Sequence, residues 1–210
     1  MEYLSIILTV ALVHLLAVMS PGPDFIMITR NSLLYSRATG IYSAIGLGLG
    51  VMVHITYSLI GIGIIISQSV VLFNIIKLLG AGYLIYIGYK SLISKKSQLH
   101  VPEGQSRKET ISTLKAIKIG FLTNVLNPKA TLFFLSLFTL VINPQTPLAV
   151  KLFMGFEMCI VTSLWFAFVA YIISHHLIKS RLNKIQHYTG KFIGIVLIGL
   201  GIKVALSTSK

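Results

Sequence analysis

The sequence predicts an all-α integral membrane protein in which six transmembrane helices form two inverted three-helix repeats. Three observations lead to this prediction: the composition, six long apolar blocks, and a proline break in two of them. Hydrophobic residues make up 55% of the 210 residues and charged residues 11%, whereas ordinary soluble domains carry roughly 25% charged residues. The mean hydropathy is +0.85. So few charges cannot cover a water-exposed surface, which argues strongly against a soluble enzyme.

Six apolar blocks have the length of membrane-spanning helices. They cover residues 3–28, 40–67, 70–89, 119–142, 148–174 and 192–206. A bilayer core of roughly 30 Å needs about 20 helical residues, a length that the sixth block reaches only if Lys191 and Lys203 lie near its ends. A signal peptide would begin with basic residues, but the only early charge is Glu2, so the first block is predicted to be retained.

The basic residues are distributed unevenly among the connections between these blocks. The connections after the first, third and fifth blocks carry two, seven and four of the 18 Lys and Arg residues. Because cytoplasmic loops of membrane proteins are enriched in Lys and Arg, these loops are predicted to be cytoplasmic and both termini extracytoplasmic. The net charge of +13 therefore indicates topology, and no nucleic-acid partner is predicted. The single Cys159 excludes an intramolecular disulfide and a cysteine-based metal cluster.

The chain is predicted to divide into a first repeat over residues 1–92, a cytoplasmic linker over 93–118 and a second repeat over 119–210. The third and sixth blocks share a Lys-x-x-Gly motif followed by Gly-x-Lys, and the first and fourth blocks both contain a proline break. Because each unit crosses the membrane three times, the two units must have opposite orientations. Inverted repeats of this kind are typical of secondary transporters, whose site lies near the midplane between the repeats.

The break in the first block consists of Pro21, Gly22, Pro23 and Asp24. The two prolines remove backbone donors and Gly22 adds backbone freedom, so the freed carbonyls need partners inside the protein or in a water-filled cavity. A simple kink would be the structural interpretation. Asp24 favours a functional one, because an acid is costly at membrane depth and usually marks an ion or substrate pathway.

The break in the fourth block contains Asn124, Asn127, Pro128 and Lys129. In a structural interpretation, the asparagine side chains bond to the carbonyls that Pro128 frees, and Lys129 extends towards the membrane surface. In a functional interpretation, the positive N-terminal end of the restarted helix and Lys129 bind a carboxylate. The sequence leaves both open, and the eight residues of the two breaks are the predicted substrate-binding set.

Three titratable residues within the blocks are candidates for proton coupling: Asp24, Glu157 and His54. Glu157 lies about nine residues, or ~14 Å, into the fifth block, where an isolated carboxylate is expected to be protonated or paired. His54 and His14 are more often hydrogen-bonded within a helix bundle than proton carriers. The pair His175–His176 has no third ligand nearby in sequence, so neither a metal site nor a cofactor is predicted.

At these positions the sequence resembles the LysE/RhtB family of bacterial amino-acid exporters, over essentially the whole chain. The resemblance rests on five segments that occur in order and at family spacing: Met19-Ser20-Pro21-Gly22-Pro23-Asp24, Gly46-x-Gly48-x-Gly50, residues 80–88, residues 122–129 and Gly199-Leu-Gly201-Ile-Lys203. The stretch from Leu8 to His14 that precedes the first break looks similar to the threonine-exporting branch. Glu157 lies outside these motifs.

The resemblance implies a secondary transporter of the bacterial cytoplasmic (inner) membrane, not an enzyme. It would export threonine, homoserine or similar small neutral amino acids in exchange for protons, so its partners are an amino acid, protons and the lipid bilayer. Homodimerisation is left open. A divalent-metal exporter is the alternative transporter, but two scattered carboxylates argue against it. A membrane redox carrier would need a pair of cysteines, and only Cys159 is present.

Overall fold

The computed structural model describes residues 2–68, 70–93, 111–141, 146–174, and 191–206 apart from 193, 200, 203 and 204. Seven helices are bounded in these ranges: α1 (Glu2–Met19), α2 (Pro23–Leu34), α3 (Arg37–Gln68), α4 (Val70–Ile93), α5 (Thr113–Val125), α6 (Pro128–Val141) and α7 (Leu148–Ile173). Most described residues between 191 and 206 are helical too, and no strand occurs in the described ranges. The all-α prediction is confirmed.

Both predicted proline breaks are confirmed, and each divides an apolar block into two helices. The axes of α1 and α2 differ by 57°. Helix α2 begins with Pro23 after the extended residue Gly22, and proline is favoured there because the first helical N–H has no partner within the helix. Helix α6 begins in the same way with Pro128. Its N-cap is Asn127, whose Oδ1 accepts a hydrogen bond from the backbone N–H of Lys129 at 3.0 Å.

Helix α5 begins before the apolar block that it belongs to. The side chain of Ser112 accepts a hydrogen bond from the backbone N–H of Lys115 at 3.4 Å, so Ser112 caps a helix that begins at Thr113. Residues 113–118 of the predicted linker are therefore helical, because a local cap and not hydropathy sets this boundary. Residues 94–110 of the linker lie outside the described residues.

Two helical segments in the described residues are long and apolar enough to cross a membrane by themselves: Arg37–Gly61 within α3, and α7. The bent pair of α1 and α2 adds a third if it forms one broken span, and α6 contributes a shorter apolar helix, Pro128–Phe138. A helical protein with segments that are able to span a membrane is thereby confirmed. Six spans in two inverted repeats stay a prediction.

Helix α3 packs closely against both α5 and α7, and α4 packs against α6. Glycines permit the close approach between α3 and α5: a Cβ atom on Gly46 would overlap the carbonyl oxygen of Ile117, and one on Gly120 would overlap that of Ser43. Large apolar side chains are exposed on the outer faces, as in Leu164 of α7, which is 65% exposed. Such a surface suits contact with lipid chains.

Two apolar clusters lie on either side of the first break. The cluster on the α1 side includes Val10, Val13 and Phe134, and the cluster on the α2 side includes Ile28 and Phe166. The polar groups of the break are therefore flanked by apolar packing along the chain, so their charges and hydrogen bonds must be satisfied locally.

Candidate substrate site

The two helix breaks come together around one cavity. Five residues of the predicted set line it, namely Gly22, Asp24, Asn124, Asn127 and Lys129. The centres of water-sized molecules can occupy a volume of about 50 Å³ in this cavity. A single bound water needs about 10–15 Å³ of such volume. There is thus room for a few waters or a small solute.

The three prolines of the predicted set have a different position. Pro23 and Pro128 begin α2 and α6, and Pro21 offers its carbonyl oxygen to Lys129 Nζ at 3.5 Å. Their main contribution is to the backbone, because they end the preceding helices and expose carbonyl oxygens.

Both carboxylate oxygens of Asp24 accept hydrogen bonds from the second break. Asn124 Nδ2 donates to Oδ2 at 2.9 Å, and Asn127 Nδ2 donates to Oδ1 at 3.0 Å. Hydrogen bonds to an ionised carboxylate are about twice as strong as those between neutral groups. Asp24 therefore joins the two halves of the chain.

Lys129 makes the reciprocal connection. Its Nζ donates to the carbonyl oxygens of Ser20 at 3.0 Å and Ala17 at 3.3 Å, at the C-terminal end of α1. The Ala17 carbonyl oxygen also accepts a hydrogen bond from the backbone N–H of Ser20 at 3.2 Å. Lys129 thus extends to the first break and not to the membrane surface. The second break thus supplies the donors for Asp24, and the first break supplies the acceptors for Lys129.

The Asn124 carbonyl oxygen has no N–H partner at Pro128. It accepts a hydrogen bond from the backbone N–H of Asn127 at 2.9 Å and also contacts His54. The Nε2 of His54 lies 2.9 Å from this carbonyl oxygen, four residues before the proline, and its Nδ1 lies 2.6 Å from the hydroxyl of Tyr57. The structural interpretation, in which the asparagine side chains bond to this carbonyl, does not describe the site, because Nδ2 of Asn124 and Nδ2 of Asn127 donate to Asp24. His54 is absent from the cavity lining, and its role in proton coupling stays a prediction.

Glu157 lies half-buried in α7 and is also absent from the cavity lining. Of the two acids predicted within the spans, the structure thus brings only Asp24 to the cavity. A coupling role for either residue stays a prediction.

Sequence reasoning missed other residues that line the cavity. His14 and Thr162 line it together with four apolar residues, Val51, Phe133, Phe134 and Phe166. Composition does not separate these side chains from ordinary packing residues. One usable pattern was present: His14, Ala17 and Pro21 are spaced so that they follow one helix face into the break.

The site has complementary groups for a zwitterion. Asp24 and the carbonyls at the end of α1 can accept hydrogen bonds from an ammonium group. Lys129 and the N-terminal ends of α2 and α6 favour a carboxylate, because helix N-termini carry a partial positive charge. Half-helices arranged around a cavity in this way are a common design of secondary transporters.

Comparison with known proteins identifies the family. The family model of the LysE type translocator matches residues 15–208. The chain is 33% identical over 196 residues to the uncharacterized membrane protein YrhP of Bacillus subtilis, covering 90% of this chain and 93% of that protein. It is 30% identical over 206 residues to the threonine efflux protein of Escherichia coli K12, covering 97% and 99%.

A leucine efflux protein of Salmonella choleraesuis is 28% identical over 195 residues, covering 90% of this chain and 89% of its own length. No solved structure matches the chain. Because the family model covers nearly the whole sequence and both helix breaks, the chain belongs to the LysE family of translocators.

Proposed function

We propose that the protein exports amino acids from the cytoplasm, with the cavity between the two helix breaks as its substrate site. The observation that carries this proposal is the convergence of Asp24, Lys129 and two helix N-termini on one small cavity. Asp24 can bind the ammonium group of an amino acid, and Lys129 and the helix N-termini can bind its carboxylate. Relatives named threonine efflux protein and leucine efflux protein support the substrate class.

The contacts of Lys129 suggest how the substrate binds. Its ammonium group donates hydrogen bonds to the carbonyl oxygens of Ala17 and Ser20. A substrate ammonium group needs acceptors of the same kind. An entering amino acid would replace Lys129 at these carbonyls, and Lys129 would then pair with the substrate carboxylate. Binding would thereby loosen a direct connection between the two halves of the chain, which is what alternating access requires.

The inverted-repeat arrangement belongs to the same proposal. Gly88 of α4 and Gly194 lie against each other, since a Cβ atom on either residue would come within 2.6 Å of the other's carbonyl oxygen. In the proposed repeat, Gly80 corresponds to Gly194 and Gly88 corresponds to Gly201. A twofold axis between the repeats would therefore relate the contact between Gly88 and Gly194 to a contact between Gly201 and Gly80. A Cβ atom on Gly201 would come within 2.8 Å of the carbonyl oxygen of Ala81, which supports this relation.

The proposed membrane is the bacterial inner membrane, with both termini extracytoplasmic and three basic loops on the cytoplasmic side. The distribution of Lys and Arg among the connections supports this orientation.

Transport of labelled amino acids tests the function directly. Everted membrane vesicles from cells that overproduce the protein should take up threonine or a similar small neutral amino acid faster than vesicles without it. Uptake into everted vesicles corresponds to export from cells. Absence of transport for every amino acid tested, together with increased resistance of the cells to a divalent metal, would contradict the proposal and favour the metal exporter.

We further propose proton antiport with Asp24 as the coupling acid, because Asp24 lies in the cavity and Glu157 does not. Glu157→Gln is therefore expected to keep the uptake rate within about twofold and to leave its pH dependence unchanged, because the substitution keeps the shape of the side chain and lies away from the site. The measurement is threonine uptake into everted vesicles across a range of imposed pH gradients. Loss of the pH dependence in Glu157→Gln would transfer the coupling role to Glu157.

A further inference from the structure

His14 and Thr162 form a buried polar pair in the lining of the cavity. His14 Nε2 lies 3.2 Å from Thr162 Oγ1, and the two residues are 1% and 0% exposed. The other ring nitrogen of His14, Nδ1, is buried and has no hydrogen-bond partner. A buried polar atom without a partner is unfavourable, so this nitrogen calls for an explanation.

His14 lies about one helical turn before a carbonyl that Lys129 contacts. Lys129 Nζ bonds to the carbonyl oxygen of Ala17 at 3.3 Å, and Ala17 follows His14 by three residues, or about 4.5 Å along the helix. A substrate whose charged groups bind at the breaks would therefore place a short side chain at the level of His14.

The surroundings of His14 restrict that side chain. The rings of Phe133 and Phe134 lie 6.3 and 5.8 Å from the His14 ring, measured between centroids. Val51 and Phe166 complete an apolar lining. Among the lining residues that α1 and α7 supply, His14 and Thr162 are the polar ones, so a polar group on the substrate side chain would find its partner there.

We propose that His14, oriented by Thr162, is a specificity-determining residue that selects amino acids with a side-chain hydroxyl over apolar ones of the same shape. The inference rests on the proposed function. A hydroxyl both donates and accepts, so it can bond to Nδ1 whichever ring nitrogen carries the proton. A methyl group in the same place leaves Nδ1 unpaired, and sites built around a hydrogen bond discriminate strongly against ligands that lack it.

Threonine and valine provide the sharpest test, because they differ by a hydroxyl in place of a methyl group. Wild-type protein in everted vesicles should transport threonine faster than valine by about tenfold to 100-fold at limiting concentration. In His14→Phe, which keeps a ring of similar size, the threonine-to-valine ratio should fall to near one. A single peak in size exclusion in detergent shows that this variant is assembled.

Two further variants separate hydrogen bonding from packing. His14→Gln keeps a donor and an acceptor and should restore part of the threonine preference that His14→Phe loses. Thr162→Val removes the hydroxyl that orients the ring and should lower the preference to an intermediate value. If His14→Phe does not assemble, Thr162→Val decides, and an unchanged ratio in that variant overturns the inference.

The two proposals fail in different ways. Transport of no amino acid by the wild type removes the proposed function and this inference with it. Transport of amino acids at equal rates for threonine and valine overturns only the selectivity of His14, as does a wild-type ratio that persists in His14→Phe.

Discussion

Replacing Asp24 by asparagine is expected to lower amino-acid transport by at least about 100-fold, which corresponds to about 2.7 kcal/mol. Both carboxylate oxygens accept hydrogen bonds from amide groups of the second break. An asparagine offers one oxygen and one NH₂ group, so one of these donors would face another donor. The substitution also removes the negative charge proposed to bind the substrate ammonium, and hydrogen bonds to charged groups contribute about 1.5–3 kcal/mol each.

The measurement is the initial rate of threonine uptake into everted vesicles, normalised to the amount of protein in the membrane. Asp24→Glu is the matched control, because it keeps the charge and both acceptor oxygens but displaces them by one methylene. We expect a rate between those of the wild type and Asp24→Asn. If Asp24→Asn retained more than about a tenth of the wild-type rate, a role at the centre of the substrate site would be excluded.

The helix breaks could be predicted from the sequence because proline acts locally. A proline lacks the N–H group that the helix ladder needs, whatever surrounds it, and the structure has breaks at Pro21–Pro23 and at Pro128. An acid or a lysine beside such a break in an apolar block also stands out by its cost in lipid. Asp24 and Lys129 could therefore be found without any knowledge of the packing.

The partners of these residues could not be predicted. Lys129 bonds to the carbonyl oxygen of Ser20, 109 residues away, and His54 bonds to that of Asn124, 70 residues away. Such contacts depend on how each helix is rotated about its axis and which helices are neighbours. In blocks that are apolar all round, periodicity does not give the rotation.

His14 illustrates the same difficulty. In sequence it is one histidine in an apolar helix, for which hydrogen bonding within the bundle is the usual explanation. Its pairing with Thr162, 148 residues away, and its unpaired Nδ1 appear only once α1 and α7 are in contact. The proposed selectivity for a side-chain hydroxyl therefore depends on helix packing, which the sequence pattern does not show.

Replacing Gly46 by alanine is expected to destabilise the assembled protein, with a thermal midpoint lower by about 5–10 °C. A Cβ atom on Gly46 would overlap the backbone carbonyl oxygen of Ile117 in α5 and would lie 2.8 Å from the backbone nitrogen of Phe121. Backbone atoms cannot rotate away as a side chain does, so α3 and α5 must separate. Overpacking of this kind costs about 1–3 kcal/mol or more, and each kcal/mol shifts the midpoint by about 2–4 °C at this chain length.

Gly61 provides the matched control, because it lies in the same helix and a Cβ atom there would meet nothing within 4 Å. Gly61→Ala is expected to leave the midpoint unchanged or to raise it slightly, since alanine favours the helix over glycine by about 1 kcal/mol. Both midpoints can be measured by size exclusion in detergent after heating. Equal midpoints for the two variants would contradict the close packing of α3 against α5. That packing also matters for the site, because Asn124, the partner of Asp24, lies one helical turn after Gly120 on the packed face of α5.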